Sequence, residues 1–244
     1  MAVIGTRKIS ELGCSAAFSL SARLALAGAL IISGGAIGGD TYAHSGAMAV
    51  AAPTVNVTGG GLLSDYLKTN KKLRGRVVRG GGTLLSEFIP DYTPDKRNSF
   101  HLRNRIIAAL SDGVLVVSGN LKSGARHTAK TAFDLGREIF AFPYSIGVEQ
   151  GQICNNIIKE GGKLVENLVD ITTTFGINLT EKEKITLTEL ESQILKIIKS
   201  GYTHVSKIAE LTNKKTYELQ ATLMTMQIKG VIVDLGGNNF GAVK

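Results

Sequence analysis

Arg103-Asn104-Arg105 precedes an unbroken apolar run, Val114 to Val117, and Lys122-Ser123-Gly124 follows it. A doubly basic helix start, a buried strand and a small-residue loop with a lysine make one βα unit with cations at its open end. In an open α/β sheet, ligands sit outside the carboxyl ends of the strands, where helix N-termini present unpaired N–H groups to anions. These residue types at this spacing therefore point to a phosphate-bearing partner.

Ser33 to Asp40 holds four glycines at the exit of an earlier apolar run. Such a loop lets backbone approach a phosphate closely and opens a helix whose dipole favours an anion, although tight turns use the same spacing. Arg103 and Arg105 suit bidentate phosphate contact and Asn104 suits holding the strand-exit backbone; the alternative is that all three tie down a loop. Lys68, Lys71, Lys72, Arg74, Arg76 and Arg79 form a run with no acid between Asp65 and Glu87, either a solvated face or a track for a nucleic-acid backbone. His44 is expected to bond within the helix after the glycine loop. The four histidines show no metal spacing, and Cys14 and Cys154 show neither CxxC nor Cys/His spacing, which fits a reduced cytosol. No catalytic residue, metal or cofactor is expected.

These groups need a frame. Ala2-Val3-Ile4 reads as a strand, Gly5-Thr6-Arg7 as a turn, Leu12 to Ala27 as an Ala-rich helix, and Ala29 to Ile32 as a second buried strand. Apolar runs recur at 54–57, 114–117 and 138–142 between helix-like segments. That alternation predicts an α/β, Rossmann-like, doubly wound and mostly parallel sheet. Residues 173–184 are polar, with alternating Glu181-Lys182-Glu183-Lys184, and are expected to be a linker between a domain at 1–172 and a smaller one at 185–244. Beyond it, Leu190, Ile194, Ile197 and Ile198 share one helical face, and Val205, Ile208, Ala209 and Thr212 another. Leu219, Leu223 and Met226, with Tyr217, Ala221 and Met224 beside them, give a third helix a broad apolar face. Val231–Leu235 and Phe240–Val243 read as a hairpin, so the second domain is expected to be a winged helix. Asn213, Lys214 and Lys215 open its third helix, where a recognition helix meets phosphate; low basic density there leaves a protein contact or a structural role equally open.

Net charge is +8 and hydrophobic content 43%, an ordinary globular composition that favours polyanions. Residues 1–172 carry 19 Lys and Arg against 13 Asp and Glu, the remainder nine against seven, so the excess lies upstream. The apolar stretch from Leu24 to Gly39 is interrupted by five glycines and is shorter than a bilayer requires. No apolar segment precedes Leu12-Gly13-Cys14 as a lipoprotein signal demands. A cytoplasmic protein without membrane attachment is expected.

The order RNRIIA (Arg103 to Ala108), apolar strand, KSG (Lys122 to Gly124) and GREIFAFP (Gly136 to Pro143) resembles the DprA/Smf family. So do Ser33 to Asp40 with Ala43-His44 and Gly46-Ala47, which follow the family's SGxARGID, AAH and GA. Leu84 to Phe88 follows LLSEY, and Gly151 to Val165 follows GTNxLIxxGAKLV. The resemblance implies a single-stranded DNA-binding protein of natural transformation and recombination, one that protects incoming strands and loads RecA. It implies that Lys122, Ser123 and Gly124 line the nucleotide pocket; Ser33, Gly34, Gly38, Arg103, Asn104 and Arg105 are expected to contact the DNA with them. A homodimer through the Rossmann-like domain is also expected. This chain departs from the family pattern at Ile37, where an arginine that contacts phosphate is usual, at Tyr66-Leu67 and at Tyr144. Arg126, usually apolar in the family, stands one helical step from the KSG loop, where it either replaces the charge lost at Ile37 at the DNA or is a solvated surface arginine, the more frequent case. The small N-terminal helical domain of many relatives is expected to be lacking.

The rival reading is an enzyme. Arg79-Gly80-Gly81-Gly82-Thr83 to Glu87 is similar to the PGGxGTxxE signature of nucleoside-monophosphate phosphoribohydrolases. That motif should follow a buried strand and open a helix, whereas a basic run precedes it here and Glu87 looks like a strand end. The RNRIIA and KSG segments decide for DNA binding without catalysis.

Overall fold

The computed structural model describes residues 1–95, 98–177, 187–229 and 231–242. They fall into two compact units, Met1–Asn178 and Leu179–Lys244. Most of the expected linker, residues 178–184, lies outside the described residues, as does Val243.

The first unit is built on seven strands: β1 (Ala2–Gly5), β2 (Ile31–Ser33), β3 (Thr54–Val57), β4 (Thr83–Leu85), β5 (Gly113–Ser118), β6 (Glu138–Ala141) and β7 (Lys163–Leu164). They pair in the order β4-β3-β2-β1-β5-β6-β7, every pairing parallel. Helices α1 (Glu11–Leu26), α2 (Gly39–Ala49), α3 (Lys71–Arg79), α4 (Ser99–Ala109), α5 (Ala125–Asp134), α6 (Gln152–Lys159) and α7 (Leu168–Thr172) connect and follow them. The expected α/β, Rossmann-like class is what forms.

Its cause is visible strand by strand. Successive side chains of a strand face opposite sides, so a strand apolar at every position is stable only with helices on both faces. Strand β5 is buried along its whole length: Leu115 and Val117 join a cluster with Val3, Leu20, Leu24 and Ile31, while Val114 and Val116 join the opposite cluster with Ile4, Ile32, Ile107 and Ile153. Truncating a residue such as Leu115 to alanine costs about 2–5 kcal/mol. Helix α1 begins one residue before its expected start because Ser10 caps it, its Oγ accepting from the Gly13 N–H at 3.2 Å.

The second unit has helices α8 (Glu189–Lys199), α9 (Val205–Thr212) and α10 (Thr216–Ile228), then an antiparallel hairpin of β8 (Ile232–Gly236) and β9 (Asn239–Ala242). Thr188 and Glu191 form a capping box at α8, and the buried Glu191 carboxylate meets Lys229 at 2.6 Å. Gly237 and Asn238 at the hairpin tip both have φ of 60°, the backbone a tight two-residue turn requires. Ile194, Ile208, Leu219, Leu223 and Met226 form the core. The face of α10 is narrower than expected: among its described side chains Leu219, Leu223 and Met226 are buried, whereas Tyr217 and Met224 are exposed.

Candidate functional site

The chain lays β1 to β4 outward in one direction, then returns to place β5 to β7 on the other side of β1. The point where strand order reverses, between β1 and β5, leaves a crevice at the carboxyl ends. Three segments meet there: Thr6-Arg7 after β1, the glycine loop after β2, and the loop from Gly119 to Gly124 after β5. Backbone bonds join them, Thr6 N–H to the Ser118 carbonyl at 2.9 Å and Gly39 N–H to the Thr6 carbonyl at 3.1 Å.

The glycine loop is shaped by contact from both sides. Gly38 has φ of 92°, and any Cβ there would collide with the Thr6 carbonyl and Arg7 backbone; Gly39 lies flat against Gly5. Helix α2 starts here without a side-chain cap. Among the described residues nothing accepts from the N–H groups of Gly35, Ile37 or Gly38. Three free donors at a helix N-terminus, in backbone of alternating hand, form a concavity suited to an anion.

Beneath the loop lies charge that solvent does not reach. Arg103 is buried; its guanidinium donates to the Gly34 carbonyl at 2.6 Å and to the Val57 carbonyl, and its Nε donates to Asn104 Oδ1 at 3.1 Å. Burial lowers the Arg103 pKa while the Asp40 carboxylate opposes that shift. Asp40, also buried, accepts from the Ala36 N–H at 3.3 Å; burial raises its pKa against the pull of Arg103. Next to them His44 Nδ1 lies 2.8 Å from Thr54 Oγ1, and the Asn56 amide lies 3.3 Å from Nε2. The Thr54 hydroxyl already donates to the Ile31 carbonyl at 2.6 Å, so it accepts from His44, which fixes the proton on Nδ1. Burial, with Arg103 and Arg74 nearby, pushes the His44 pKa down to about 3.

Several expectations are corrected here. Arg103 does not face outward as a phosphate clamp: it holds two carbonyls from below, because a chain turning at Gly34 needs an internal donor. Arg105 pairs with Glu87, so neither arginine of the Arg-Asn-Arg segment stands free, and Asn104 binds Arg103. His44 bonds across to β3 rather than within its own helix. The Ser33 hydroxyl is buried and donates to the Val3 carbonyl at 2.7 Å, leaving it a structural role. The basic run is not six unopposed cations either. Lys68 meets Asp65 at 2.9 Å, Arg74 is buried against the Thr69 carbonyl, and Arg76 donates to Ser45 at 3.3 Å. Arg126 lines a cleft of about 470 Å³ between α5 and α6 with Lys130, Phe133 and Glu138, and among the described residues nothing joins it to Ile37.

Lys122 stays exposed; its N–H donates to Asn120 Oδ1 at 3.1 Å, and Ser123 Oγ accepts from the Ala125 N–H at 3.3 Å, which shapes the loop ahead of α5. Gly34, Gly38, Lys122, Ser123 and Gly124 therefore lie on the two loops at the same end of the sheet. The sequence reading missed Arg7. It follows β1 at the reversal point, is exposed, and lies with its guanidinium 5.5 Å from the Phe100 ring centre. The signal was a cation two residues past a strand paired on both sides, a position that only the strand order identifies. Among the described residues no group of three His, Cys, Asp or Glu side chains is arranged for a metal, and no helix is long and apolar enough to cross a membrane.

Comparison with known proteins bears on the fold and the family. Residues 1–176 match the family model for DNA recombination-mediator protein A. The Smf protein of Escherichia coli is 32% identical over 97% of this chain and 66% of its own length. The DNA processing protein DprA of Streptococcus pneumoniae is 37% identical over 72% of this chain and 61% of its own. The chain thus spans less than two thirds of the length of these relatives. Among solved structures, DprA of S. pneumoniae superposes with a TM-score of 0.65 at 37% identity, covering 70% of this chain and 60% of that one. DNA processing protein A of Helicobacter pylori, described by its single-stranded DNA binding mode, superposes with a TM-score of 0.64 at 31% identity, covering 71% and 78%. The parallel sheet is thus shared with solved proteins of one kind, and with residues 1–176 matching one family model the chain belongs to the DNA recombination-mediator protein A (DprA/Smf) family.

Proposed function

We propose that the first unit binds single-stranded DNA by its phosphates at the carboxyl ends of β1, β2 and β5, serving DNA processing in transformation and recombination. The observation that carries this reading is the set of free N–H donors at Gly35, Ile37 and Gly38, flanked by the exposed cations Arg7 and Lys122. Backbone donors and point charges recognise phosphate without reading base edges, so binding has little sequence dependence. The H. pylori relative's single-stranded DNA binding supports the same choice of ligand.

The role is binding without catalysis. Glu87, the carboxylate that a phosphoribohydrolase needs, sits two residues past β4 and is occupied by Arg105. Protection of incoming strands in the cytoplasm, delivery of them to RecA, and a homodimer through the first unit complete the proposal. The second unit, three helices and a hairpin, is assigned as a winged helix. A gel shift with single-stranded and duplex oligonucleotides over a salt series tests the core of this reading. Single strands bind more tightly, with log affinity falling by about 0.7 per neutralised phosphate for each unit of log salt; equal affinity for duplex overturns it.

A further inference from the structure

The loops after β3 and β4 form a structure that phosphate binding does not use. Gly61 N–H donates to the Tyr92 carbonyl at 2.9 Å and Leu63 N–H to the Pro90 carbonyl at 2.8 Å, tying the two loops together. On this frame Phe88 and Tyr92 stack with ring centres 4.4 Å apart and planes 8° apart, and Tyr66 and Phe100 tilt together at 5.3 Å. The Tyr92 hydroxyl is fixed against Ser99 Oγ at 2.9 Å. All four rings are half-buried, while Leu63 and Ile89 beside them are 74% and 73% exposed. A wall of preset rings with bare aliphatic groups at its rim is a surface made for flat apolar partners.

The wall is continuous with the anion site, because the Arg7 guanidinium lies over Phe100. A nucleotide carries its anion and its π surface together, and here a cation and aromatic rings stand side by side in the same order. Resting on the DNA-binding reading above, we infer that the loops after β3 and β4 are a base-stacking wall, receiving the bases of the strand whose phosphates lie at Arg7, Lys122 and the glycine loop. Stacking on aromatic side chains tolerates any base, and removing one such ring weakens binding about fivefold to a hundredfold.

The experiment compares two labelled strands of equal phosphate count by fluorescence anisotropy, a twenty-nucleotide oligo-dT and a fully abasic strand of the same length. The intact chain binds oligo-dT at least about tenfold more tightly than the abasic strand. Phe88→Leu, which keeps the loop filled, and Ile89→Ser, at an exposed position, each weaken oligo-dT binding and leave abasic binding unchanged. Because the chain contains no tryptophan, Phe88→Trp supplies a single reporter whose emission saturating oligo-dT quenches and the abasic strand does not. Equal affinity of the intact chain for both strands, or an unquenched reporter, overturns the wall and leaves the patch to a protein partner. Failure of the intact chain to bind either strand overturns the DNA-binding reading beneath it.

Discussion

The glycine loop after β2 and the lysine loop after β5 stand across the same crevice, yet they handle charge in opposite ways. The first keeps its cation inside: Arg103 is buried under Gly34 and balanced by Asp40, and the surface above offers only neutral N–H groups and the 57% exposed Ile37. The second keeps Lys122 in solvent on a loop shaped by Asn120 and Ser123. A buried charge that loses its partner destabilises the fold, whereas an exposed one alters mainly association. Position decides which kind of work an arginine or lysine does, and the contrast between the loops is open to separate tests.

The largest expected effect is on the buried side. Arg103→Met removes the donor to two carbonyls and leaves Asp40 without its opposing charge. A loss of about 3–5 kcal/mol is expected, read as a fall of about 6–20 °C in Tm for a unit of this size. A variant that melts with the native chain returns Arg103 to the phosphate-clamp role and ends the contrast.

Sequence alone conveyed much of the frame and little of this contrast. Val114 to Val117 is apolar at every position, so its burial on both faces was legible, as was the reversal from strand to helix around Gly38. Lys163–Leu164 was not, because a two-residue edge strand is defined by its pairing to Phe140 and Ala141 rather than by an apolar run. Arg103-Asn104-Arg105 reads as surface in any linear pattern. Only the packing of α4 under β2 and β3 turns its first arginine inward, and only the hydrogen-bond partners of His44 lead it to Thr54 and Asn56. Arg7 escaped notice for a related reason: its importance comes from β1 lying at the centre of the sheet, a fact of topology rather than of spacing.

A second test of the buried side uses acid. His44 is neutral in the folded chain, with its pKa at about 3, but takes a proton near its ordinary value of 6.5 when unfolded. Between these values the unfolded state binds more protons, so stability is full above pH 6.5 and declines as pH falls toward 3. At pH 4.5 the loss from this residue is about 2–3 kcal/mol. Asp40, whose pKa is raised, contributes with the opposite sign, so the informative quantity is the difference between the native chain and His44→Gln. Urea midpoints at pH 7 and 4.5 should differ less in the variant; parallel declines would remove His44 from the acid response.

On the exposed side the effects move to binding. Lys122→Ala should lower affinity for single-stranded DNA about tenfold, about 1.4 kcal/mol as a charge-assisted phosphate contact is worth, and reduce the salt slope by about 0.7. Its Tm should stay within about 1 °C of the native value, since an exposed lysine adds little packing. A large drop in Tm with unchanged salt slope would make Lys122 structural and erase the difference between the two loops.

The smallest expected effect comes from making the neutral loop resemble the charged one. Ile37 lies between the free N–H groups of Gly35 and Gly38 with most of its side chain in water, so the fold gains little from its hydrophobicity. Ile37→Arg places a guanidinium where a bound phosphate meets those donors and requires no repacking. Affinity for single strands should rise several-fold at low salt, and the salt slope should steepen by about 0.7 as one more phosphate is neutralised. Both changes should disappear near 1 M salt, where screening acts over about 3 Å. An unchanged slope would mean that no phosphate passes over the glycine loop. The free N–H groups would then face water alone, and the strand would be held from the Lys122 side.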